Sequence, residues 1–127
     1  MKILLIDDDK ATKFLTRRAL RHLHEVSSIA EVSDGVEGIE IISSGMIKPD
    51  VILLDWEMPR MNGYEFLKEY TKQNLATGFT KLYVLTSVVD EHVTDKTDTM
   101  DIVNNVFEKP LNEEHVRQIV EDLRGRN

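Results

Sequence analysis

Residues Val51-Ile52-Leu53-Leu54-Asp55-Trp56-Glu57-Met58-Pro59-Arg60-Met61-Asn62-Gly63 pass from four apolar side chains into a carboxylate, then through a turn to a helix start. An unbroken Val/Ile/Leu run is the pattern of a strand covered on both faces, as in parallel sheets. Asp55 then falls where that strand emerges, at the carboxyl edge, where open α/β sheets gather their polar chemistry. Pro59 has no amide to continue a ladder, and Gly63 permits a positive φ or a close backbone approach. Asp55 is therefore expected on a rigid strand end beneath a shaped loop.

Working outward, Ile3-Leu4-Leu5-Ile6 is a second continuous apolar run, and it ends in Asp7-Asp8-Asp9. Asp9 suits the cap of a helix from residue 10 to about 23. In that helix Ala11, Phe14, Leu15, Ala19, Leu20 and Leu23 recur at the spacing of an inward face, opposite Lys10, Lys13, Arg17, Arg18 and Arg21. His22 and His24 read as its C-terminal end. A short strand is expected at 29–32. Ser33-Asp34-Gly35 turns into a helix carrying Val36, Ile39 and Ile42, which Gly45 stops. Lys48-Pro49-Asp50 is the turn into the central strand.

Beyond Gly63, Phe66, Leu67 and Tyr70 point inward on a third helix, with Lys68, Glu69 and Lys72 outward. Leu82-Tyr83-Val84-Leu85 forms a fourth strand ending in Thr86-Ser87. Residues 88–105 hold threonines and aspartates, mediocre helix formers, so any helix there is expected to be short or mobile. Asn105-Val106-Phe107-Glu108 is a fifth strand, broken by Lys109-Pro110. Asn112 caps a last helix whose Val116, Ile119, Val120 and Leu123 make an apolar stripe. Glu113 and Glu114 open it, and Arg124 and Arg126 close it, as the helix dipole favours.

Alternating strands and helices with right-handed crossovers predict an α/β domain with a doubly wound five-stranded parallel sheet, order 2-1-3-4-5, over residues 1–127. The 127 residues suffice for one core, and composition is ordinary, at 41% hydrophobic and 31% charged. The absence of cysteine removes disulfides, thiolate metal sites and cysteine nucleophiles, and suits a cytoplasmic location. No run approaches the roughly 20 apolar residues of a membrane span. A net charge of −7 argues against generic nucleic-acid binding.

The switch point of such a sheet gathers Asp7, Asp8, Asp55, Thr86 and Lys109 from four strands. Crowded carboxylates repel: two unit charges about 4 Å apart cost roughly 4 kcal/mol at an effective dielectric near 20. Lys109 offers one compensating charge, and a hard divalent ion offers two. Mg²⁺ takes oxygen ligands, keeps several waters, and accepts one or two carboxylates plus a phosphate oxygen. Such a site suits phosphoryl transfer, with Asp55 as nucleophile, Lys109 and Mg²⁺ neutralising the transferred group, and Thr86 hydrogen-bonding one of its oxygens. The backbone carbonyl of Glu57 is a further candidate metal ligand.

With Leu5-Ile6-Asp7-Asp8-Asp9, Asp55-x-x-Met58-Pro59-x-Met61-Asn62-Gly63, Leu85-Thr86-Ser87 and Lys109-Pro110 in this order and spacing, the chain resembles the CheY-like receiver domain of two-component response regulators, of flavodoxin-like (βα)5 fold, over essentially its whole length. The resemblance implies that Asp55 accepts a phosphoryl group from a histidine kinase or phosphotransfer protein. It implies that Asp7 and Asp8 organise Mg²⁺, Asp8 directly and Asp7 chiefly through water. Thr86 and Lys109 would sense the phosphoryl group, the Lys109-Pro110 bond would be cis, and the basic face of the first helix would dock the phosphodonor. No effector segment is expected after the fifth helix, so output would come from a separate protein, from self-association, or from passing the group onward.

One position departs from the family pattern. An aromatic switch residue usually lies three residues before the lysine, and here that place is taken by Val106, with Phe107 next along. A blander reading makes the chain a constitutive interaction module; another makes it a small Mg²⁺-dependent phosphatase with Asp7-x-Asp9 as its motif. Trp56 is expected to lie partly exposed beside the site, and Asp50 to serve the turn.

Overall fold

The computed structural model describes residues 1–125. Strands and helices alternate as β1 (Lys2–Ile6), α1 (Lys10–Arg21), β2 (Ser28–Val32), α2 (Gly35–Ser43), β3 (Val51–Asp55), α3 (Gly63–Lys72), β4 (Lys81–Thr86), α4 (Glu91–Thr97), β5 (Val103–Glu108) and α5 (Glu113–Arg124). The five strands form one sheet in the order β2-β1-β3-β4-β5, every pairing parallel. Strand β3 is buried from Val51 to Asp55, as its unbroken apolar run predicts.

Alternation along the strands divides the core between the two faces of the sheet. Leu4, Ile6, Ile52, Leu54, Leu82 and Val84 pack with Ile39 of α2, Phe66, Leu67 and Tyr70 of α3, and Val93 of α4. Ile3, Leu5, Val51, Leu53, Tyr83, Leu85 and Phe107 face the other way, against Leu20 of α1 and Val116 and Ile119 of α5. At about 25 cal/mol per Å² of apolar surface, these two layers supply most of the drive to fold.

Each helix starts on an Asp or Asn whose side chain accepts a backbone amide of the first turn: Asp9, Asp34, Asn62, Asp90 and Asn112. Gly45, with φ of +75°, follows the end of α2. Asp50 serves the turn, its Oδ2 accepting the Lys2 amide at 2.6 Å.

Several expectations need correction. Phe14 and Leu15 are exposed (52% and 45%), while Thr16 and Leu20 are the buried side chains of α1. The helix is rotated so that a threonine takes the inward position, its hydroxyl buried without a partner. Trp56 is buried, not partly exposed: it joins the α2–α3 layer and meets the Tyr64 ring at 6.2 Å between centroids. Strand β5 begins two residues earlier than its apolar residues suggest, because Asn104 Oδ1 accepts the Leu82 amide at a register shift. Helix α4 is short, at seven residues. Arg126, placed in the last turn of α5 by the sequence, lies outside the described residues.

Candidate functional site

Strand register brings the polar residues together. Ile6 pairs with Leu54, so the next residues, Asp7 and Asp55, emerge side by side; Asp55 pairs with Leu85 and Thr86 with Glu108, so Thr86 and Lys109 follow one step higher. The Lys109 amide donates to Thr86 O at 2.8 Å, and the Lys109-Pro110 bond is cis, as expected.

The β3–α3 loop is held by backbone hydrogen bonds, one to β4 and one within the loop. Trp56 N–H donates to Leu85 O at 2.8 Å and Gly63 N–H to Trp56 O at 3.0 Å. A Cβ on Gly63 would stand 2.8 Å from Trp56 Cα, so the glycine is required by close approach. Arg60 Nε donates to Asp34 Oδ2 at 2.6 Å, tying the loop to the cap of α2.

One oxygen from each of Asp7, Asp8 and Asp55 falls within 4.8 Å of the others. Asp7 and Asp55 are buried and Asp8 is exposed. Lys109 Nζ donates to Asp55 Oδ1 at 2.7 Å, and the Glu57 amide donates to the same oxygen at 3.1 Å. Asp7 Oδ1 accepts the Asp9 amide at 2.9 Å, whereas Asp7 Oδ2 is buried with no partner. Two buried carboxylates thus face one ammonium. Burial pushes the Asp55 carboxyl up to about 7, against the Lys109 hydrogen bond and with help from the Asp7 charge. Burial raises Asp7 likewise, partly offset by the Asp9 amide and Lys109. Burial disfavours the Lys109 charge too, but the Asp55 bond and the surrounding carboxylates prevail and raise it. An orphaned buried carboxylate oxygen among oxygen donors fits a hard divalent cation.

The structure brings Asp7, Asp8, Asp55, Thr86 and Lys109 to one rim, and it shows a contact that sequence reasoning missed, between the Glu57 side chain and the Thr86-Ser87 pair. The Glu57 side chain, considered only for its backbone carbonyl, reaches across to β4: its Oε2 accepts from Thr86 Oγ1 at 2.8 Å, and its Oε1 accepts from Ser87 Oγ at 2.9 Å and Ser87 N–H at 3.2 Å. Desolvation raises the Glu57 carboxyl, but these hydrogen bonds outweigh it and leave the group below its usual range. The signal available beforehand was an acid two residues past Asp55 together with a Thr-Ser pair at a strand end.

Asp9 is the α1 cap and His22 ends that helix, as read from sequence. Val106 is half-buried on the α4 side, while Phe107 lies on the opposite face, stacked between Tyr83 at 5.3 Å and His115 at 4.4 Å.

The response regulator receiver domain model matches residues 3–121. A sensor histidine kinase of Helicobacter pylori, CheAY, is 32% identical over 122 residues, 93% of this chain and 14% of that protein. A protein-glutamate methylesterase/protein-glutamine glutaminase of Geobacter metallireducens is 30% identical over 101 residues, 80% of this chain and 27% of that protein. The chain therefore spans less than a third of either relative. A two-component response regulator from Cytophaga hutchinsonii shares the fold with a TM-score of 0.87 at 25% identity, over 98% of this chain and 97% of that one. No helix among the described residues is long and apolar enough to cross a membrane. With nearly its whole length matched, the chain belongs to the receiver domain family of two-component response regulators, whose general mechanism is phosphoryl transfer from a histidine kinase to an aspartate.

Proposed function

We propose that Asp55 is the phosphoryl acceptor of this domain, taking the group from a phosphohistidine of a histidine kinase or phosphotransfer protein. The observation that carries this reading is the buried Asp55–Lys109 pair at 2.7 Å, set beside an Asp7 oxygen with no donor. Oδ1 of Asp55 is held by Lys109 and the Glu57 amide, so Oδ2 is the oxygen presented for attack. The new Oδ2–P bond forms as the P–N bond of the donor breaks, and the departing imidazole nitrogen keeps the electron pair. Lys109 then turns its ammonium to the phosphoryl oxygens, and the Thr86 hydroxyl donates to one of them.

Asp7, Asp8, Asp55 and the Glu57 carbonyl would hold Mg²⁺, which when bound supplies charge neutralisation at the transferred group. The acidic rim needs that charge, because Lys109 alone leaves the pair of buried carboxylates net negative. Exposed Phe14 and Leu15, flanked by Lys10 and Arg18, give α1 an apolar and basic surface beside the rim for the donor protein. Output follows from a shift between two pre-existing conformations of the segment after Thr86, read by a separate protein or by a second copy of the chain. The domain catalyses no other reaction in this reading, and it works in the cytoplasm.

Incubation with acetyl phosphate and Mg²⁺, followed by mass mapping of the acyl phosphate, tests the assignment. Label on Asp55, lost in Asp55→Asn, is the expected result. Label on Asp7 would instead favour the phosphatase reading, and no label at all would leave only an interaction module.

A further inference from the structure

The Glu57 carboxylate makes the contacts that a phosphoryl group on Asp55 would need. Its two oxygens take the hydroxyl of Thr86 and both the amide and hydroxyl of Ser87, at 2.8–3.2 Å. These are charge-assisted bonds to an anion, the stronger kind. They join the β3–α3 loop to the start of the segment leading into α4, and Thr86 Oγ1 also lies 3.1 Å from Val88 O, within the same turn. Thr86 itself is 1% exposed, so its hydroxyl has no alternative in bulk water. The carboxylate sits two residues from Asp55, and two anions do not share these donors without strong repulsion.

We propose that the Glu57 side chain is an internal occupant of the phosphoryl-recognition pocket, a latch that holds Thr86 and Ser87 in the unmodified protein and is displaced when the acceptor is modified. The inference rests on the receiver reading of Asp55. It gives the domain a two-position element in which Thr86 and Ser87 bond either Glu57 or the phosphoryl oxygens. It also supplies a means of transmission where Val106 stands in place of an aromatic: what moves is the carboxylate and the loop it holds. Phosphoryl binding has to displace the carboxylate, and the response after Thr86 is correspondingly suppressed in the resting state.

Glu57 is exposed, so its substitution leaves the core intact. Two variants separate contact from charge. Glu57→Ala removes both. Glu57→Gln keeps the geometry, its amide oxygen accepting from Ser87 and its NH₂ donating to Thr86 Oγ1, and removes only the charge. Two measurements are made on the whole chain. The first is amide hydrogen exchange at Ser87 in metal-free protein. The second is the affinity for beryllofluoride with Mg²⁺, a phosphoryl stand-in, followed by Trp56 fluorescence.

Loss of the latch is expected to speed Ser87 exchange in Glu57→Ala and to tighten beryllofluoride binding about tenfold, the equivalent of one charge-assisted hydrogen bond. Glu57→Gln is expected to retain Ser87 protection and to gain a smaller factor in affinity. Wild-type exchange and wild-type affinity in Glu57→Ala would overturn the latch. Should beryllofluoride bind none of the three proteins, the receiver assignment of Asp55 fails. Ser87 exchange then still decides whether Glu57 holds the loop.

Discussion

At Asp55, two carboxylates and one ammonium out of water make protonation part of stability. The folded carboxyl titrates near 7 against a usual 3.8, so the native state binds this proton more tightly than the unfolded chain does. Its contribution is therefore fully present below about pH 4 and is lost as pH rises through about 7. Metal-free protein should lose at most roughly 4 kcal/mol across that window, a limit set by 1.36 kcal/mol per unit of pKa shift. Asp7 titrates with Asp55, so the slope belongs to the pair. Urea unfolding at several pH values in chelator, on wild type and Asp55→Asn, checks this: the variant should be more stable at pH 8 and nearly flat. An undiminished slope in Asp55→Asn would place the titration elsewhere. The acid itself was legible in the sequence, because an apolar run ending in aspartate fixes its height on the sheet. The Glu57 side chain was not, since nothing in one chain of letters tells which way a loop carboxylate turns. Trp56 was misjudged for a related reason: the close approach of Gly63 folds the loop down over the indole ring.

Among the elements, the β3–α3 loop is closed by backbone contact, and Gly63 is where that contact leaves no room. An added methyl would meet Trp56 Cα at 2.8 Å and Asp55 O at 3.0 Å, both backbone atoms that cannot swing aside. Gly63→Ala should cost roughly 1–3 kcal/mol, as overpacking does, and should displace the strand end carrying Asp55. Thermal unfolding together with acetyl phosphate labelling reads both effects, and a variant with wild-type values in each would show that the loop yields freely. Helices α2 and α5 were legible from cap and period together, and α3 from the period of Phe66, Leu67 and Tyr70 after Gly63. Helix α1 was legible in extent but not in rotation, because Phe14, Leu15 and Thr16 are consecutive and its period alone allows either face. Strand β5 hid its start because the exposed Asn104 and Asn105 follow Val103 at a register shift and interrupt the apolar pattern. The short α4 follows from its composition: the buried Thr97 hydroxyl turns back to Val93 O at 3.0 Å, the local bonding that makes threonine a mediocre helix former.

For the molecule as a whole, the rim exists only when β1, β3, β4 and β5 are assembled, so a cation that binds there binds the folded chain alone. Mg²⁺ at about 100 times its dissociation constant should raise unfolding stability by roughly 2.7 kcal/mol. Calorimetry with and without Mg²⁺, at constant ionic strength, measures it. The same scan on Asp8→Ala should show a much smaller rise, and a wild-type melt indifferent to saturating Mg²⁺ would remove the cation from the mechanism. Strand order and crossover hand were readable because five βα repeats leave few topologies open. The two apolar layers, one beneath α2, α3 and α4 and the other beneath α1 and α5, also bear on how such a protein can change over time. Substitutions confined to opposite sides of the sheet share few neighbours, and changes that are far apart tend to add independently. Each side is free to drift at its own pace, and only the handful of residues along the rim must answer to both.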